Sequence, residues 1–434
     1  MESRIRSLGF VSTAASTDPE ITPVPPHTPV NALRRIAAAL HYRDFRVLWC
    51  GAFTSTIGTW MQTVAQNWLV LTLSGAASAF FLGLDSFLAA LPILLFTMVG
   101  GVFADRHDRR RLLLMSQCIQ MTTAFTLAAL VYFKLVVIWH VLALSAITGL
   151  GQAFGGPAYQ SLLPSLVDKE DVPNAIAFNS IQFNLARVIG PLLAGAALAA
   201  FGMVACFGLN GLSFLAVIAA ILSLHVRHVP STGAPPMRQQ FQTGLRFVTD
   251  RPALIGLAVL GFTTTFLGSP FMTFLPLFAQ DVFHGSVGLY TKLLACASAG
   301  AVTGALYVAW SGRSPHMGRK LLLLQLFYGL AILAFAAIHV LWLSAIVLFT
   351  AGACMVMVTS FLLSLVQLNA PNEVRGRVMS IYMVAFRGGM PLGSLVAGAI
   401  ASRLSAPFVL TVNGALLSLV AAWFLLKSHG VRDL

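Results

Sequence analysis

Two apolar runs, residues 80–104 and 112–133, flank the segment Asp105-Arg106-His107-Asp108-Arg109-Arg110-Arg111, and no other feature constrains the chain as strongly. Each run reaches the roughly 20 residues that cross a bilayer as a helix. Two acids and four arginines within seven residues cannot lie between them in hydrocarbon, where each charge costs about 2.5–3.5 kcal/mol. The segment must be a tight hairpin at a membrane surface. Loops rich in Lys and Arg mark the cytoplasmic surface.

The rest of the chain follows the same plan. It is 57% hydrophobic and 9% charged, with a mean hydropathy of +0.83, where a soluble domain carries about 25% charged residues. The net charge of +13 is spread through short loops and not gathered in one soluble domain, so it argues against nucleic-acid binding. Five cysteines lie far apart in apolar segments without CxxC spacing, and ten histidines form no HExxH pair. This pattern predicts no disulfide framework and no metal site. With no nucleophile elbow, P-loop or dinucleotide fingerprint either, the sequence predicts neither an enzyme nor a bound cofactor.

Residues 1–40 read as a disordered, proline-rich cytoplasmic tail followed by the start of a basic amphipathic helix, which runs from Asn31 through Arg34, Arg35, Arg43 and Arg46 along the membrane surface. Apolar runs follow at 47–73, 80–104, 111–133, 136–160, 174–201 and 203–224. A basic loop at 225–251 separates them from runs at 252–278, 286–311, 320–340, 341–367, 377–403 and 406–427. The sequence thus predicts an all-α integral membrane protein of twelve transmembrane helices, in two six-helix halves spanning 41–224 and 252–428, with a short tail at 429–434. With both termini cytoplasmic, only Lys134, Lys292 and Arg403 fall in outer loops. Arg187 and Arg387 fall inside helices, and every other Lys and Arg is cytoplasmic. A multi-pass, monomeric plasma-membrane protein is expected, and the excess of Arg and Ala over Lys associates it with a bacterial inner membrane.

The two halves resemble each other. Ser180-Ile181, Arg187 and Pro191 recur 200 residues later as Ser380-Ile381, Arg387 and Pro391. Parallel repeats of this kind build secondary transporters whose substrate site lies between the halves. The hairpin Gly101-x-x-x-Asp105-Arg106-x-x-Arg109-Arg110-Arg111 resembles the loop 2–3 motif of the major facilitator superfamily. Gly58-Thr59-Trp60-Met61-Gln62, Asn184-Leu185-Ala186-Arg187 and Arg387-Gly388-Gly389-Met390-Pro391 resemble its branch of enterobactin exporters and macrolide efflux proteins. The motif's usual glycine is Asp108 here. The antiporter-type motif of helix 5 survives in part, as Gly190, Pro191 and Gly195.

That resemblance implies a cytoplasmic gate. Asp105, within Gly101, Arg106, Arg109 and Arg110, would face the start of helix 11 at Gly376 and Arg377, where free amides and the positive dipole end attract a carboxylate. Other candidates come from the residues themselves. Arg187 and Arg387 lie near the bilayer midplane, where an ionisable group must face a cavity or find partners. They line a substrate path or pin the backbone freed by Pro191 and Pro391. Ser180 and Asn184 share a helical face with Arg187. Ser55, Thr59, Gln62 and Gln66 form one polar stripe on helix 1, expected to face the central pathway. Asp85 is either a proton carrier or a hydrated acid at the outer mouth. Helix 7, with Thr263-Thr264-Thr265, Gly268 and Pro270, reads as kinked.

The resemblance implies proton-driven export of a small organic molecule, a drug or siderophore. The midplane arginines favour anionic or catecholate oxygens. Two alternatives stand beside it: a lysophospholipid flippase or importer, and a membrane sensor or assembly partner without transport.

Overall fold

The computed structural model describes residues 38–225, 245–312, 315–371, 374–427 and 430–434. The tail to residue 37, residues 226–244 of the central loop, residues 313, 314, 372, 373, 428 and 429 and the side chain of Asp105 lie outside the described residues. Among the described residues every regular element is helical.

The first helices are α1 (Arg43–Ser74), α2 (Ser78–Arg106), α3 (Arg109–Tyr132) and α4 (Ile138–Leu162). A continuous stretch Val172–Leu222 follows. Its 51 residues would span about 77 Å if straight, far more than a bilayer. It breaks at Gly202, whose φ of 76° suits a residue without Cβ, giving α5 (172–201) and α6 (203–222). The remaining helices are α7 (Pro252–Gly268), α8 (Val287–Ser311), α9 (Met317–Ala337), α10 (Leu341–Asn369), α11 (Arg375–Ala401) and α12 (Ala406–Lys427). Among the described residues ten segments are long and apolar enough to cross a membrane; one, Arg43–Ala104, contains the turn between α1 and α2, and another contains the Gly202 break. Beyond α7 the chain proceeds in short pieces, Pro270–Thr273, Leu275–Leu277 and a π-turn at Phe278–Val282, because Pro270 and Pro276 lack the amide that a continuous helix needs.

One expectation is corrected at the amino terminus. Arg43 and Arg46 belong to α1 and not to a helix lying on the surface. The chain is pinned before α1 by the Tyr42 hydroxyl, which donates to Asp168 at 2.9 Å and Asp171 at 2.8 Å, while the Ala39 amide donates to Asn174 at 2.9 Å. Two accepting carboxylates push the Tyr42 phenol up to about 12. The hairpin also gains an explanation. Asp108 caps α3, its carboxylate accepting from the Arg110 amide at 2.9 Å, so an acid at the motif's glycine position starts the helix that a glycine would only permit. Arg109 and Arg110 donate to the carbonyls of Ser161 and Leu222, which ties the hairpin to α4 and α6.

Helix packing repeats along the chain. In the first six helices α2 and α3 pack on α4, and α1 packs on α5 and α6; in the last six, α8 and α9 pack on α10, α9 on α12 and α7 on α11. Two further seams, α2 with α11 and α5 with α8, join the sets. The buried apolar side chains form three clusters. One unites residues of both sets, from Met61 and Phe207 to Phe278 and Tyr290. The other two stay within one set each, around Phe45, Leu113 and Phe214, and around Leu257, Phe361 and Val431.

Candidate functional site

This partition of the core defines a cleft. Residues of the shared cluster lie at the end where α1 finishes and α2 and α8 begin, opposite the arginine hairpin. There the seams are tight. A Cβ placed on Gly83 of α2 would strike the Ser394 carbonyl of α11, and one on Gly195 of α5 would meet the Thr291 hydroxyl of α8 at 2.7 Å. Asn67 of α1 donates to the Tyr290 hydroxyl of α8 at 3.1 Å, and Trp68 stacks on the Tyr290 ring.

Toward the hairpin the same faces part. The α11-facing side of α2 continues through Leu94 to Met98 and Gly101 at helical spacing. A Cβ on Leu94's partner, Gly388, still has Leu94 at 3.7 Å, but one on Gly101 meets nothing within 4 Å. Gly376, at the start of α11, has equally open space. The two sets therefore meet at one end and are separate at the other, where each has its own core. Gly101 and Gly376 lie on the open side, and Arg106 there is exposed.

Arg187 and Arg387 stand near the roof of this cleft. Each lies seven or eight residues, about 11 Å, from a seam contact on its own helix, Gly195 for Arg187 and Ser394 for Arg387. On α5 the exposed Ile181, Leu185 and Leu192 share one flank, whereas Ser180, Asn184 and Arg187 share another, about a third of a turn round the helix. The Arg187 guanidinium lies over the Trp60 ring, 5.7 Å from its centroid, and Phe183 packs edge-on to the same indole. Gly190 makes this possible, because a Cβ there would come within 2.5 Å of the Trp60 Cβ. Asn184 donates to the Ser180 carbonyl of its own helix. Arg387 is exposed on the face of α11 that, two turns further on, packs against α2. Among the described residues neither arginine has a carboxylate within ion-pair distance.

Asp85 is 5% exposed, so the hydrated outer mouth expected as one of its alternatives does not describe it. It lies behind the closed seam, where Gln66 of α1 donates to it at 2.9 Å and Ser145 of α4 at 2.5 Å. Gln66 also donates to Ser145 at 2.9 Å, which closes a ring of three polar side chains on three helices. The polar stripe of α1 thus divides its work. Gln66 holds the acid, Gln62 accepts from Asn210 of α6 at 2.6 Å, and Thr59 donates to the Ser55 carbonyl. Ser145, Asn210 and Tyr290 carry no signal of their own in the sequence, being single polar groups in apolar runs.

Comparison with known proteins places the chain in context. The sequence profile of the transmembrane secretion effectors matches residues 36–432. The staphyloferrin A transporter of Staphylococcus aureus is 27% identical over 80% of this chain and 86% of its own length. The macrolide efflux protein A of Streptococcus pyogenes is 23% identical over 87% and 94%. A solved bacterial homolog of the human lysosomal transporter Spinster, in an inward-facing and unoccupied conformation, superposes with a TM-score of 0.72 at 16% identity, over 89% of this chain and 97% of that one. At that identity the likeness is one of fold.

Proposed function

Because the chain belongs to the transmembrane secretion effectors of the major facilitator superfamily, we propose that it exports a small anionic organic molecule by alternating access, driven by protons. Twelve helices cross the plasma membrane, a bacterial inner membrane, with both termini in the cytoplasm. Residues 41–224 and 252–428 form the two halves, and the protein works as a monomer. The bend at Gly202 and the turn at Gly75–Ala77 support the count of twelve, since each divides an over-long apolar segment in two. The distribution of Lys and Arg supports the orientation.

One observation carries the reading: the split core, fused at the outer end and divided at the hairpin end. This is a cytoplasm-open state with the site roofed by Arg187 and Arg387. Rocking the halves would transfer the seal to the hairpin end, with Asp105 meeting the amino terminus of α11 at Gly376 and Arg377. Asp105→Asn should then slow transport about two- to fivefold by weakening a helix-terminus contact, with membrane insertion intact. Normal transport by this variant would remove the gate.

Two cations without a described acid between them favour a carboxylate- or catecholate-bearing substrate, in keeping with the staphyloferrin relative. Arg187→Gln should weaken binding of a catecholate probe about tenfold or more, the cost of one hydrogen bond to a charged group. Arg187→Lys should restore part of it. Equal binding by all three proteins would point to a different site. Proteoliposomes with an imposed pH gradient test the whole reading: gradient-driven movement of such a substrate supports it, and none with a broad panel of anions and drugs contradicts it.

A further inference from the structure

A groove of about 420 Å³ runs between α8 and α9 on the side of the bundle away from the cleft. Met357 and Phe361 of α10 form its floor, Tyr307 of α8 one wall, and Leu323 and Phe327 of α9 the other. Lys320 closes it at the end nearest the arginine hairpin's membrane face. Tyr307, Leu323 and Phe327 are exposed, as side chains facing hydrocarbon are. The groove does not lead into the cleft. Behind it the backbones of α8 and α10 touch, so that a Cβ on Gly304 would lie 2.5 Å from the Ala353 carbonyl.

The chemistry changes along its length. Apolar side chains line the part within the membrane. At the mouth Lys320 stands one turn into α9, without an ion-pair partner among the described residues. Trp310, 84% exposed, and Tyr307 lie together at the end of α8, their rings 6.3 Å apart. Exposed indole and phenol groups at a helix end mark the head-group level of a bilayer. An ammonium at that level, with no carboxylate paired to it among the described residues and with an apolar channel open to lipid below it, matches a molecule with an anionic head and an alkyl tail.

We propose that this groove is a binding site for one anionic phospholipid of the leaflet on the hairpin side. An acyl chain lies along Met357 and Phe361, and the phosphate meets the Lys320 ammonium. The lipid fills the space between α8 and α9 and is held from outside the bundle. It is a resident of the fold and not cargo, because the α8–α10 contact seals the groove from the cleft.

Native mass spectrometry of the purified full chain tests this, with dioleoylphosphatidylglycerol and dioleoylphosphatidylcholine supplied separately. Wild type should retain one phosphatidylglycerol in preference to phosphatidylcholine. Lys320→Ala should lower phosphatidylglycerol retention about fivefold, the contribution of one cation near an anionic head group, and Lys320→Arg should keep it. Thr303→Trp, which fills the apolar channel, should lower retention of both lipids. Lys427→Ala, a cation at another helix end, should change nothing. Equal retention of the two lipids by wild type would overturn the proposal. So would unchanged retention in Lys320→Ala, or an equal loss in Lys427→Ala.

Discussion

Asp85→Asn is expected to abolish pH-gradient-driven accumulation of substrate while leaving substrate counterflow within about twofold of wild type. With a gradient of about two pH units, one-to-one proton coupling sustains up to about a hundredfold accumulation, tenfold for each unit. The variant should reach no accumulation. The reason is local. Asn keeps the shape of the carboxyl group and one accepting oxygen, and Gln66 and Ser145 both have hydrogen-bonding capacity to rearrange around it. It cannot load a proton. All three side chains belong to α1, α2 and α4, which pack within one set, so the ring moves as a unit when the halves rock. Opening the outer seam would bring water to it. Counterflow needs rocking but no net proton movement, so it separates coupling from folding. A variant that still accumulates substrate would clear Asp85 of any part in coupling. Loss of counterflow as well would make Asp85 a structural acid.

A second pair of substitutions should move the molecule in opposite directions. Gly83→Val places a side chain against the Ser394 carbonyl in the closed seam, whereas Gly101→Val, on the same helix, meets open space in this state. Overpacking costs about 1–3 kcal/mol, so Gly83→Val should favour the outward-open form by roughly tenfold to a hundredfold. Gly101→Val should penalise the form in which the hairpin end closes. The readout is labelling of Ala79→Cys by a membrane-impermeant maleimide, in a background without the five native cysteines. Labelling should rise with Gly83→Val and fall or stay low with Gly101→Val, and export should drop in both. Parallel changes in labelling would contradict the two-seam picture.

The membrane character and helix order were legible because hydrocarbon leaves few options. Apolar length and the placement of arginine carry that information residue by residue. Arg187 and Arg387 were legible as candidates for the same reason, since a midplane charge demands an explanation. Asp85 was found but its surroundings were not. Its distance from the helix end suggested contact with water, whereas Gln66 of α1 and Ser145 of α4 enclose it. Ser145 and Asn210 were hidden because a single small polar residue in an apolar run is common and its partner lies on another helix. Asp108 was visible as an oddity in a motif. Its role as a cap needed the hairpin's geometry, in which its carboxylate reaches the Arg110 amide. The start of α1 was misplaced because Tyr42 is held by two acids more than 120 residues away in sequence.

The split core also gives the molecule a shape. Fused at one end and divided at the other, it would act as a wedge in the orientation proposed above, broader beside the hairpin than at the opposite end. The proposed rocking would exchange area between the two leaflets. The lateral pressure of each leaflet then enters the balance between states as mechanical work. Lipids with small head groups, which crowd the acyl region and relieve the head-group region, weight the two wedges differently. The same chain would therefore cycle at different rates in flat and curved membranes, with no change in its substrate site.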